Sequence, residues 1–339
     1  MYVDQWGVIH PLAPPPGDAE KAKPLTPECL AAEGVGVPEL ADIGQKLCRY
    51  GTAKARNRQM AGHIVGLSTK ASSDPRRKLA QNLYDCASVL TFRHYLEARK
   101  TLLHSGQFCK AHLLCPVCAI RRGVKTLRNY HARALHLADR YDFHLVTLTV
   151  KNGEDLHERY SHLKHAFKRL RDRGKKGYGE WSRVAGAIWS TEFTYSPEQG
   201  WHPHLHILVA VDKGEAPIRY GKGSQLALDW LAVTKDSYIV HSARVNGEGE
   251  ALAASLCEVL KYALKFADLT LEKNWDAYLA LKGKRLLQSS GVFFGLELPE
   301  DADLADDPLD GPYIDLWFRY GANGYLPMQA PVVIFSTNR

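Results

Sequence analysis

The hydrophobic pattern of this chain changes period several times, and each change marks an element. Residues 143–150, with Leu145, Val146, Thr147, Leu148 and Thr149, are apolar and β-branched, which predicts a strand. Residues 184–195 and 201–211 predict two more strands. The polar Ser196-Pro197-Glu198-Gln199-Gly200 between them predicts a hairpin that lays the pair antiparallel. Residues 238–245 form a fourth strand, and 313–318 and 332–335 two late ones. Helical spacing appears at Leu156, Tyr160, Leu163, Phe167 and Leu170, which recur at intervals of four and three. A second stripe, Leu252, Leu256, Val259, Ala263 and Ala267, predicts a helix over 250–268. Shorter helices are predicted over 79–90 and 225–231, and residues 46–100 as a whole read as helical and basic. From residue 143 the order is strand, helix, strand, strand, helix, strand, helix. That is an α+β fold with a mainly antiparallel sheet and packed helices.

Four regions follow. Residues 1–45, with Pro11, Pro14, Pro15, Pro16, Pro24, Pro27 and Pro38 and no sustained period, predict a disordered Pro/Ala-rich leader. Residues 46–140 form a basic helical region containing a cysteine knuckle, and 141–295 the α+β core. Residues 296–339 hold an acidic loop and the late strands. No internal repeat is apparent.

Charge sharpens this division. The net charge is +7, yet residues 46–185 alone hold 29 Lys and Arg against 10 Asp and Glu. An excess confined to one block is the footprint of phosphate-backbone binding, and such binding should weaken steeply with salt. Arg121, Arg122 and Lys125 open a basic helix running to about Asp139, and Lys168 and Arg169 lie on the polar face of the 156–170 helix. These five are candidate DNA contacts, with Lys261 as a sixth. No apolar run reaches 18 residues and the start has no signal-peptide pattern, so the expected location is the cytoplasm, with no membrane partner.

Three sites carry possible chemistry. His204 and His206 sit one residue apart at the head of an apolar strand, so both imidazoles share a face and can hold one divalent metal. The same pair could simply hydrogen-bond near a sheet end. Glu192, on the neighbouring strand, is either a third ligand or half of a cross-strand salt bridge. Cys109, His112, Cys115 and Cys118 offer three thiolates and an imidazole in ten residues, a set suited to tetrahedral structural zinc, with His104 able to replace His112. In a cytosolic chain the odd total of seven cysteines also favours a metal over disulfides. Glu258, Tyr262 and Lys265 share one side of the 250–268 helix, as an ion pair or as a reactive group.

Four of these elements occur in the order of a known family: the Phe108-Cys109 to Cys115-Pro116-Val117-Cys118 knuckle followed by Arg121-Arg122; the strand 145–152; His202-Pro203-His204-Leu205-His206; and the helix Glu258-Val259-Leu260-Lys261-Tyr262-Ala263-Leu264-Lys265. Lys284-Arg285-Leu286 with Gly291-Val292 also looks like its later segment. The chain resembles, from Phe108 to about Phe294, the rolling-circle replication initiators of bacterial plasmids, the single-tyrosine branch of the His-hydrophobic-His endonucleases. The resemblance implies a ferredoxin/RRM-like core, so that 141–295 is a metal- and tyrosine-dependent endonuclease domain. It further implies that His204 and His206 bind catalytic Mg2+ or Mn2+. Tyr262 would cut one origin strand, keep the 5′ phosphate and free a 3′ hydroxyl, Lys265 would position metal or phosphate, and Glu258 would activate water for closing. Implied partners are plasmid origin DNA, a host helicase and single-strand-binding protein in a bacterial cytoplasm. Alternatives are a transposase or relaxase of the same superfamily, or a non-catalytic zinc-braced DNA-binding repressor. The gap from Cys109 to Cys115 is one residue longer than the family pattern, which leaves the fourth zinc ligand open.

Overall fold

A computed structural model describes residues 2–3, 9–10, 41–71, 73–245, 249–260, 269–295, 303–306, 308–328 and 332–334. Most of the expected leader, the end of the 250–268 helix and much of the acidic loop lie outside the described residues. The chain divides into two compact units, Met1–Cys118 with Asp303–Arg339, and Ala119–Ala302. Among the described residues no helix is long and apolar enough to cross a membrane.

In the first unit, α1 (Ala41–Leu67) and α2 (Pro75–Asp85) precede the hairpin β1 (Val89–Tyr95) and β2 (Lys100–Gly106). The hairpin replaces part of the helix expected over 46–100. Val89-Leu90-Thr91-Phe92-Arg93-His94-Tyr95 is β-branched and aromatic, and only the basic residues around it suggested a continuing helix. The late strand β8 (Tyr313–Tyr320) lies antiparallel beside β1, and β9 (Tyr325–Pro327) and β10 (Val332–Ile334) both pair with β8. The predicted late strands therefore complete the sheet begun near residue 89. Phe92, Phe318 and Tyr50 pack beneath it, with ring centroids 6.0 and 6.3 Å from Phe92.

Helix α3 (Pro116–Leu137) begins in the first unit and continues in the second. There follow β3 (Tyr141–Thr149), α4 (Leu156–Lys175), β4 (Val184–Ser196), β5 (Gly200–Asp212), α5 (Gln225–Thr234) and β6 (Val240–Val245). Then come α6 (Gly249–Val259), α7 (Leu271–Leu281) and β7 (Leu287–Gly291). The antiparallel sheet runs β6-β3-β5-β4-β7. Its first four members form a β-α-β-β-α-β unit with the fourth strand beside the first, which is the split, ferredoxin-like arrangement.

This sheet is covered on both faces. Leu205, Ile207, Val209 and Val211 join the core that holds Leu163, Phe167 and Leu170 of α4 and Trp230 of α5. Leu208 and Ala210 point the other way, into the core of Tyr130 and Ala134 of α3 and Leu252, Leu256 and Val259 of α6. Alternation of β5 thus sets which helices each of its residues meets.

Two glycines hold the sheet's shape. Gly200 closes the β4–β5 hairpin at φ +74°, and a Cβ there would stand 2.6 Å from the Gly153 carbonyl oxygen. Gly291 ends β7 at φ +60°, where a Cβ would stand 2.0 Å from the Ala185 carbonyl oxygen. Gly291→Ala is therefore expected to destabilise the protein by more than the about 1–2 kcal/mol of a left-handed residue alone. Urea denaturation checks this as a lowered midpoint.

Candidate metal centre on the sheet

His204 and His206 share the face of Leu208 and Ala210, so both look toward the side covered by α3 and α6. The β4–β5 register sets Glu192 opposite His204 and Ser190 opposite His206. One carboxylate oxygen, Glu192 Oε2, lies 3.0 Å from His206 Nε2 and 3.4 Å from His204 Nε2. Glu192 is buried while the two imidazoles keep partial exposure, leaving an approach from solvent.

The other ring nitrogens are engaged. His204 Nδ1 is 3.4 Å from the His202 carbonyl oxygen, to which it donates, and His206 Nδ1 is 3.4 Å from Thr147 Oγ1. Tying Nδ1 in this way turns the Nε2 lone pairs toward the shared centre, the usual preparation of a histidine ligand. Two imidazoles and a buried carboxylate are a donor set for a divalent cation. Octahedral bonds of about 2.1 Å set neighbouring donors about 3.0 Å apart, close to the separations here. Burying a carboxylate carries a desolvation cost that a metal would offset. The residues fit the group.

His202 lies on the same strand, opposite Thr194, with its ring centroid 5.4 Å from that of His204, and its Nδ1 meets Asn152 Oδ1. Burial, and then the neighbouring His204, holds its pKa below the ordinary imidazole value. Ser190 Oγ donates to the Val259 carbonyl, anchoring the end of α6 to the strand residue opposite His206. This contact was not foreseen from sequence. Glu258, half-buried, immediately precedes the anchored residue. Tyr262, Lys261 and Lys265 lie outside the described residues; Tyr262 follows Val259 by three positions in sequence.

The cysteine group has a different membership from the expected one. Cys86, Cys109, Cys115 and Cys118 have sulfurs within 4.8 Å of one another, and neither His112 nor His104 belongs to the group. Hydrogen bonding from Cys109, Cys115 and Cys118 holds the Cys86 thiol far below its ordinary pKa, while burial pushes Cys115 up. Cys86 stands 23 residues before Cys109, beyond any local motif, so nothing in the spacing marked it.

The basic candidates divide. Arg121 is buried on α3, with Arg122 and Lys125 half-buried. Lys168 and Arg169 are exposed on α4, across the sheet from the histidines. Lys168 Nζ pairs with Asp172 at 2.7 Å, and the Arg169 guanidinium donates to the Val233 carbonyl.

Fold and site define the class: a split β-α-β sheet carrying a His-hydrophobic-His pair and a carboxylate on one face. The family model described as "Replication protein" matches residues 100–311. Relatives named "Protein rep" include one from Bacillus sp, 29% identical over 279 residues, covering 73% of this chain and 88% of that protein. Another, from Bacillus amyloliquefaciens, is 28% identical over 285 residues, covering 75% and 81%. A third, from Staphylococcus aureus, is 29% identical over 201 residues, covering 56% and 83%. No solved structure matches. The chain belongs to the replication-protein family, the Rep initiators of plasmid replication.

Proposed function

We propose that this initiator acts as a site-specific, metal-dependent endonuclease and strand transferase on one strand of the plasmid origin. The observation that carries the reading is the Glu192, His204 and His206 group, set on the sheet face whose covering helix α6 ends three positions before Tyr262 in sequence. A divalent cation held there, Mg2+ or Mn2+ by family resemblance, supplies Lewis-acid polarisation of a phosphoryl oxygen. Tyr262 loses its phenolic proton to solvent and its oxygen bonds to phosphorus. The bond from phosphorus to the 3′ oxygen breaks, and that oxygen takes up a proton. The 5′ phosphate stays on the tyrosine and a 3′ hydroxyl is free to prime synthesis. Lys265 offsets charge at the phosphate, which favours the ionised phenol. Glu258 accepts a proton from the water that later releases the tyrosine. Arg121, Arg122, Lys125, Lys168, Arg169 and Lys261 supply backbone contacts, and a host helicase and single-strand-binding protein extend the opened strand.

The test uses the full chain, Mn2+ and a labelled single-stranded origin oligonucleotide. A denaturation-resistant protein–DNA adduct is expected from the wild type and none from Tyr262→Phe. Absence of an adduct in the wild type, or its persistence in the variant, removes the nuclease reading.

A further inference from the structure

We propose that Cys86, Cys109, Cys115 and Cys118 hold a single zinc ion through four thiolates, with Cys86 rather than a histidine as the fourth ligand. This site is separate from the sheet metal centre and does not depend on the nicking mechanism. The Cys86–Cys115, Cys86–Cys118 and Cys109–Cys118 sulfur separations are 3.5, 3.6 and 3.7 Å. Four zinc–sulfur bonds of about 2.3 Å in a tetrahedron give edges of about 3.8 Å. Disulfides need about 2.0 Å, and all four cysteines are free. Iron–sulfur clusters spread their thiolates over several irons, whereas this group closes around one centre.

The surroundings suit thiolates. Asn57 Nδ2 donates to Cys115 Sγ at 3.0 Å, the Cys118 amide to the same sulfur at 3.3 Å, and the Cys109 amide to Cys86 Sγ at 3.5 Å. Such donors orient ligands and spread their charge. Four thiolates around a dication leave two negative charges, and a fully buried cation stands beside them. Lys54 Nζ donates to the Cys86 carbonyl at 2.6 Å, to Ser88 Oγ at 3.0 Å and to the Tyr84 carbonyl, all neutral oxygens. The Asp85 carboxylate offers this buried ammonium one nearby negative charge, and a zinc thiolate centre would offer another. Cys86 caps the end of α2, while Cys115 and Cys118 flank the start of α3. The ion would therefore clamp two helix ends whose cysteines lie far apart in sequence.

The test is metal analysis of the dialysed full chain, with Co2+ exchanged for zinc as an optical reporter. One zinc per chain and a tetrahedral cobalt spectrum with four thiolate ligands are expected. His112→Ala should leave both unchanged. Cys86→Ser should lose zinc to a competing chelator on the order of 100-fold more readily, since even supporting groups cost 10–100-fold. Its cobalt charge-transfer band should fall by one thiolate. Should Cys86→Ser fail to fold, the wild-type cobalt spectrum decides, because three-thiolate, one-imidazole ligation would overturn the assignment. So would zinc-free folded protein, loss of zinc in His112→Ala, or wild-type zinc retention in Cys86→Ser.

Discussion

Glu192→Ala is expected to reduce Mn2+-dependent adduct formation on the order of 10³-fold while the chain still binds its oligonucleotide. The Glu192 carboxylate is the negative member of the donor set, reached by the Nε2 atoms of both histidines. Without it only two imidazoles remain, and cation affinity falls. A Lewis acid at phosphorus contributes several kcal/mol, and each 1.4 kcal/mol is about tenfold in rate. Mn2+ titration of adduct formation, with calorimetric Mn2+ binding alongside, reads both effects. Unchanged Mn2+ dependence would remove Glu192 from the site.

Much of this arrangement was legible in the chain, for a physical reason. Side-chain direction in a strand is fixed by parity, so His204 and His206 had to share a face. The Pro197–Gly200 turn had to bring residue 192 near them, and both expectations hold in the register. Parity does not say which helices cover that face. That depends on sheet order, which follows from long-range packing and places Lys168 and Arg169 across the sheet from the histidines. Local spacing failed in the cysteine group for the same reason: Cys86 reaches it through the fold of α2 against α1, while His112, between Cys109 and Cys115 in sequence, is not a member of the group. The β1–β2 hairpin was obscured by surrounding Arg and Lys, which favour helix in isolation but cost a strand little when exposed. Helix α7 was missed although Thr270 caps it, its hydroxyl accepting from the Lys273 amide at 3.1 Å. Its apolar stripe is too short to stand out from pattern alone.

Glu258→Ala is expected to separate the two halves of the reaction. In the proposed first cut the nucleophile would be the Tyr262 phenol, and no water need be deprotonated. In the proposed release, water would attack the phosphotyrosine, and a positioned base contributes about 10²–10⁴-fold to such a step. Glu258 is the last residue but one of α6, beside Val259, whose carbonyl is held by Ser190 opposite His206. Its backbone is thus anchored on the same sheet face as the metal centre. Single-turnover time courses should show adduct forming at close to the wild-type rate and decaying about 10²-fold more slowly, so that the covalent species accumulates. Ser190→Ala, which loosens the anchor but keeps the carboxylate, should slow release less than Glu258→Ala. Equal loss of formation and decay in Glu258→Ala would instead make the residue a support for the nucleophile. The base for release would then have to be sought elsewhere on that face.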